Sequence, residues 1–199
     1  MSTNPEVFIV ESLDFEDEAK GRHEGEILAR MLKLMGKTQT TYFYIRTRAE
    51  LEEIIDKFDE SGARYLHLSC HANKTSMATT LDSVPFEQLG EMLGPCLNGR
   101  RIFLSACEMA NARLAKALFP GTGLHSIVGP ARKIYFDDSA AFWVAFYHLM
   151  FKADDARMQH SQLERLVGDL ERLFGERFNY YRKTDNARGY RLIDTRGGA

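Results

Sequence analysis

Short β-branched or apolar runs alternate along this chain with segments whose apolar residues recur at helical spacing. Val7-Phe-Ile-Val10 is a short β-branched run that predicts a first strand, and the acidic Glu11–Glu18 with glycines 21 and 25 reads as a polar loop. Ile27, Leu28, Met31, Leu32 and Met35 recur at helical spacing up to a stop at Gly36. Thr41–Ile45 has the aromatic and β-branched content of a strand. Thr47-Arg-Ala-Glu50 is a capping box opening a helix with Leu51, Ile54, Ile55 and Phe58 on one face. Arg64–Cys70 predicts a third strand, and Met77–Leu81 a minor one. Pro85 opens a helix carrying Phe86, Leu89, Met92 and Leu93. Arg101–Ser105 predicts a fourth strand, with Ala110, Leu114, Ala117 and Leu118 marking a helix directly behind it. His125–Val128 predicts a fifth strand, and Asp137-Asp138 precede a helix over Ser139–Phe151.

This alternation predicts a mostly parallel sheet of about five or six strands with helices on both faces, a three-layer α/β/α sandwich. The last part changes character. Residues 156–174 pattern as an amphipathic helix, and Phe178–Lys183 with Gly189–Ile193 pattern as a hairpin. The expected organisation is therefore a core over 1–152 and a C-terminal helix and hairpin over 153–199, packed on that core or extending it.

Length and composition narrow the functional classes. The 199 residues suffice for one substantial core, and a net charge of -2 argues against general nucleic-acid or membrane-surface binding. The basic and aromatic residues mixed through 177–196 read as a hairpin with a solvated face rather than a nucleic-acid strand site. The N-terminal residues lack the pattern of a secretory signal, and the longest apolar run, Ala140–Phe151, is interrupted by His148. Cys70, Cys96 and Cys107 have neither framework nor metal spacing, so no metal or cofactor is expected and a reducing cytoplasm is the natural compartment.

Chemistry concentrates at two strand ends. In open α/β sheets functional groups gather beyond the carboxyl ends of the strands, and His71 and Cys107 follow the third and fourth. Neighbouring strands lie about 4.8 Å apart, which brings side chains leaving adjacent ends close together. A helix starting at Cys107 would favour the thiolate. His71 would act as the base, and the N–H groups of Ala72 and Cys107 would hold an oxyanion. One cysteine at a strand–helix junction is more often packing than chemistry; a histidine at the next strand end favours catalysis.

The residues that carry this chemistry also resemble a family. Tyr65-Leu-His-Leu-Ser-Cys-His71 and Arg101-Ile-Phe-Leu-Ser-Ala-Cys107, then Ile127-Val-Gly129, Asp137-Asp138 and Phe146-Tyr147, resemble the CHAT branch of the caspase-like cysteine peptidases, the group that includes separase. The likeness spans roughly residues 60–152. It departs at Ala72, where the family usually has glycine, and at Glu108-Met-Ala, which lacks the relatives' glycine. The resemblance implies a caspase-like fold, a His71/Cys107 dyad and hydrolysis of a protein or peptide substrate. It places Asp138, ahead of Asp137, at the base of a pocket for a basic side chain, with Ser105 as a further substrate-binding residue. Asp137 and Asp138 read equally well as a helix cap, and Arg132 and Lys133 would suit the opposite, acidic specificity. Control by a separate protein or by self-association, and a place in bacterial defence or cell death, follow from the same likeness. The alternative is a catalytically inactive scaffold on the same fold.

Overall fold

A computed structural model describes residues 3–196. In chain order the elements are β1 (Asn4–Ser12), α1 (Phe15–Ala19), α2 (Glu24–Leu34), β2 (Thr41–Tyr44), α3 (Arg48–Ser61), β3 (Ala63–Cys70), β4 (Ser76–Ala78), β5 (Ser83–Pro85), α4 (Phe86–Leu93), β6 (Arg101–Ser105), α5 (Ala112–Leu118), β7 (Ser126–Pro130), α6 (Phe136–Ala153), α7 (His160–Phe174), β8 (Phe178–Lys183) and β9 (Tyr190–Ile193). Seven strands form one sheet in the order β2-β1-β3-β6-β7-β8-β9; β4 and β5 make a small separate ribbon. The first five are mutually parallel, and the C-terminal hairpin adds β8 and β9 antiparallel at the edge beside β7. The hairpin thus joins the sheet and brings it to seven strands, beyond the five or six expected.

Two apolar layers cover this sheet. Phe8, Val10, Leu66, Leu68, Ile102 and Leu104 pack beneath α3, α4 and α5. Val7, Ile9, Tyr65, Phe103 and Val128 meet α2, α6 and α7 on the other face. Parallel strands buried on both sides read as continuous apolar runs, which is why the periodicity was so legible. Phe103 sits at the centre of the second layer, with the rings of Trp143, Phe146 and Tyr147 at 5.1–5.7 Å. At Gly129 a Cβ would stand 2.7 Å from Leu104 Cβ, so only glycine lets β7 approach the end of β6.

Local signals explain most boundaries. The capping box of α3 is formed, with Thr47 accepting from the Glu50 N–H and Glu50 accepting from the Thr47 N–H at 2.9 Å. Gly62 ends that helix in the left-handed region.

Three expectations need correction. Glu11 and Ser12 belong to β1 and are buried, and a short helix replaces the rest of the expected loop. Tyr42 and the Gly25 N–H both bond the Glu11 carboxylate, at 2.7 Å each, which makes its burial tolerable. The helix behind β6 starts at Ala112, capped by Asn111, not at Cys107. Asp137 and Asp138 lie in the first turn of α6 rather than before it.

Candidate active site

The register of β3 on β6 decides what the strand ends can share. Ser69 lies opposite Ser105 in this parallel pair, so His71 and Cys107 leave adjacent strands at nearly the same height. Both line one cavity of about 80 Å³, together with Ser105, Ala106, Glu24, Ser139 and the Ile134–Phe136 segment. Cys107 is half-buried, its Sγ 3.7 Å from the Ile134 carbonyl; Cys70 and Cys96 are buried. Burial pushes the Cys70 thiol up to about 12 and the Cys96 thiol up to about 11, which leaves both protonated at neutral pH.

His71 is held by a residue that the sequence pattern did not single out. Its Nε2 lies 2.7 Å from Asp17 Oδ2, and the Arg22 guanidinium holds Oδ1 of the same carboxylate at 2.7 Å. Burial alone would raise the Asp17 carboxyl, but Arg22 and His71 outweigh it and keep it below the usual range. An ionised Asp17 accepts the Nε2–H, so the lone pair of His71 sits on Nδ1, the nitrogen left to act as a base. Asp14, 3.6 Å from the same nitrogen, completes a group of three that could ligate a cation among the described residues; Arg22 already neutralises Asp17 there. Phe136 stands edge-on to the imidazole, with centroids 5.7 Å apart.

The loop after Cys107 is tied to the loop after His71. Asn111 Nδ2 donates to the Lys74 and Glu108 carbonyls at 3.1 and 2.8 Å, and Lys74 pairs with Glu108 at 3.3 Å. Glu108 has φ +55°, the one non-glycine residue with positive φ among the described residues. The turn therefore holds Glu108 in the left-handed region that glycine adopts freely, with strain of order 1 kcal/mol. Because α5 begins five residues after Cys107, the helix end does not act on the thiol as expected; the Ile134 carbonyl is the polar contact of its Sγ. Ala72 bridges to Met77 through bonds made by its neighbours, Asn73 N–H to Ser76 and Ala78 N–H to His71. Neither bond uses the Ala72 N–H.

Beneath the cavity lies a second unexpected feature. Glu24, 4% exposed, bonds the hydroxyls of Ser105, Ser139 (3.3 Å) and Ser69 (3.5 Å). Glu11, completely buried, lies beside it across Ser69. Among the described residues no lysine or arginine pairs with either; His23 Nδ1 lies 3.6 Å from Glu11. Burial, reinforced by Glu11, pushes the Glu24 carboxyl up to about 8 against the opposing serine bonds. Glu24 sits four residues before Leu28 and eight before Leu32, on the buried stripe of α2. An acidic residue in phase with an apolar stripe was the signal available in the sequence.

The remaining expected residues divide. Ser105 lines the cavity; Asp137 is exposed, Asp138 is half-buried, and neither lines it. His67, on the same face of β3 as His71, is fully buried against Trp143 and 3.2 Å from the Tyr147 hydroxyl, and burial drives it down to about 3. It packs and does not titrate near neutrality.

No protein-family model matches the sequence, and no curated protein matches it. Solved structures do. The chain is similar to an inactive zymogen of a C11 protease from Parabacteroides distasonis, at 13% identity and a TM-score of 0.59, covering 92% of this chain and 63% of that one. It is also similar to the Arg-specific cysteine proteinase gingipain R (15%, TM-score 0.53, 76% and 38% covered) and to pro-Sf-caspase-1 (13%, 0.54, 98% and 88%). The fold is caspase-like. The chain spans under two thirds of the length of the first two of these proteins. No helix among the described residues is long and apolar enough to cross a membrane.

Proposed function

We propose that this caspase-like chain is a cysteine endopeptidase of the CHAT type, with Cys107 as nucleophile, His71 as base and Asp17 as the group that orients the base. The observation that carries the reading is His71, fixed through Nε2 by Asp17, in one cavity with the one partly exposed cysteine. Nδ1 takes the Sγ proton as the thiolate attacks the substrate carbonyl carbon, and the C=O pair moves to oxygen. The Cys107 and Ala72 N–H groups are the candidate donors to that oxyanion. Collapse expels the amine, which receives the proton held by His71, and leaves a thioester. Water, deprotonated by His71, hydrolyses the thioester and restores the thiol.

The same reading extends to a basic residue before the scissile bond. The carboxylate lining the cavity is Glu24, and its burial without a lysine or arginine leaves a place for a cation. Glu24 thereby takes the role that the resemblance gave to Asp138 or Asp137, with Ser105 and Ser139 beside it. An arginine side chain needs more room than about 80 Å³, so its entry requires the lining of the cavity to widen.

A panel of fluorogenic peptides with Arg, Lys, Asp or Leu before the cleaved bond tests both levels. Preference for Arg or Lys is expected, with Glu24→Gln lowering kcat/KM for Arg by about 10²–10³-fold and the Leu peptide barely affected, as for breaking a buried charge pair. Preference for Asp, or an Arg preference that survives Glu24→Gln and falls in Asp138→Asn, would reassign the pocket. Cleavage of no peptide, with no labelling of Cys107 by an acyloxymethyl ketone probe, would favour the scaffold alternative.

Control is proposed to come from a separate protein or from self-association through the C-terminal elements. Leu173 on α7 and Leu192 on β9 are exposed, 75% and 52%, and β9 is a free sheet edge. Activity that rises with enzyme concentration is the expected sign of self-association. A reducing cytoplasm, which keeps three unpaired cysteines as thiols, and a bacterial defence pathway complete the proposal.

A further inference from the structure

The amino ends of the parallel strands carry a second cavity, of about 530 Å³, whose lining has the opposite electrostatic character. Arg64 on β3, Arg101 at the start of β6 and Arg157 before α7 converge there with His125 and His160, and no aspartate or glutamate lines it. Arg101 is only 6% exposed. Its guanidinium donates to Ser126 Oγ at 2.8 Å and to the Met158 carbonyl at 2.7 Å, and lies 3.4 Å from His160 Nδ1. These partners are all neutral. Arg64 likewise bonds only Thr3 and the Ala156 carbonyl. Among the described residues none of the three arginines makes an ion pair, although thirteen other arginine or lysine side chains do.

The nearby acids are engaged elsewhere. Asp155 pairs with Lys37 at 2.7 Å, and Asp154 accepts the N–H groups of Ala156 and Arg157. Gln159, which precedes α7, makes no side-chain cap, so the first N–H groups of a 15-residue helix add positive potential at the same wall. Burial and the arginine field hold His125 low and His160 at about 4, so both imidazoles are neutral at pH 7. His160 Nδ1 accepts from Tyr180, at 2.5 Å, which puts its proton on Nε2 as a further donor.

We propose that this cavity binds a phosphorylated small molecule, held by the guanidinium groups of Arg101, Arg64 and Arg157. A buried arginine without a counter-charge is costly, and forked guanidinium donors match phosphoryl oxygens. Three such groups require more than one negative charge, which a phosphate monoester or diphosphate carries and a single carboxylate does not. The volume admits a ligand up to the size of a mononucleotide. Arg64 and Arg101 lie on the two strands whose far ends carry His71 and Cys107, so the ligand would bridge β3, β6 and the segment before α7. The inference stands apart from any peptidase activity.

Isothermal titration calorimetry and thermal melts of the full chain test it, with orthophosphate, pyrophosphate, ATP and citrate, each against NaCl of equal ionic strength. Saturable binding of pyrophosphate or ATP with a rise in Tm of several degrees is expected, since a ligand of the folded state alone stabilises it. Arg157→Glu, an exposed position, should weaken binding at least about tenfold through loss and reversal of a charge. Arg101→Met should abolish it, and Arg157→Glu keeps the test decisive should that variant not fold. Melts no higher than in NaCl, equal affinity of wild type and Arg157→Glu, or citrate binding as tightly as pyrophosphate would each overturn the proposal.

Discussion

The two ends of the same parallel sheet make opposite electrostatic arrangements. At the carboxyl ends, Glu11 and Glu24 are buried with no lysine or arginine, under a small cavity that holds the half-buried Cys107. At the amino ends, Arg101 is buried with no carboxylate, facing a cavity more than six times larger. Between them Phe103 and Leu104 pack in the two apolar layers, beside a His67 that burial holds neutral. Ionisable groups collect towards the ends of the ladders. A buried ionisable group left without a counter-charge marks a place for a ligand of the opposite sign, and the two ends differ in which sign is missing.

The sharpest way to separate the ends is to disable one. Cys107→Ala and His71→Ala should each lower peptide cleavage on the order of 10⁴-fold or more, by analogy with removing one member of a nucleophile–base unit. Phosphate-ligand binding at the other end should be unchanged. Residual turnover near wild type in Cys107→Ala would show that the carboxyl end is not where chemistry occurs.

Asp17 offers a finer cut. Asp17→Asn keeps the shape but offers no anion to His71, and the wrong imidazole tautomer should cost roughly 10²–10⁴-fold in kcat with KM little changed. An unchanged kcat would make Asp17 a purely structural ligand of Arg22.

The uncompensated acid is testable without activity. Glu24 is raised from 4.5 to about 8 in the folded state, so the folded chain binds the extra proton between these values. Stability from this group is full below about pH 4.5 and is lost as pH rises towards 8, by a few kcal/mol in total. Denaturant titrations across that window should show wild type losing stability relative to Glu24→Gln, which carries no titrating proton. Parallel pH curves for the two proteins would contradict an isolated buried acid. The smallest effect concerns the loop after Cys107: Glu108→Gly should stabilise by about 0.5–1 kcal/mol, because glycine adopts φ +55° without strain. A loss of stability would mean that the pair with Lys74, 3.3 Å away and partly exposed, outweighs the strain.

Residue patterns alone determined the architecture. Runs such as Val7–Val10, Tyr65–Leu68 and Ile102–Leu104 are largely apolar and buried on both faces, and that continuity is the mark of parallel strands between helices. The capping box at Thr47, the stop at Gly36 and the terminal hairpin were equally legible, because caps and turns act over three or four residues. The strand ends at His71 and Cys107 followed from the same runs. The groups around them did not. Asp17 lies 54 positions before His71 and Glu24 lies 81 before Ser105, in a stretch whose acidity looked like a solvated loop. Arg101, the first residue of the predicted fourth strand, is buried against α7 and the segment before it, 57–59 positions later. Local sequence sets backbone periodicity, but whether a charged side chain faces water, a partner or an empty cavity depends on which distant elements close over it. Only the tertiary structure decides that, because the cost of burying a charge is set by everything packed around it rather than by its neighbours in the chain.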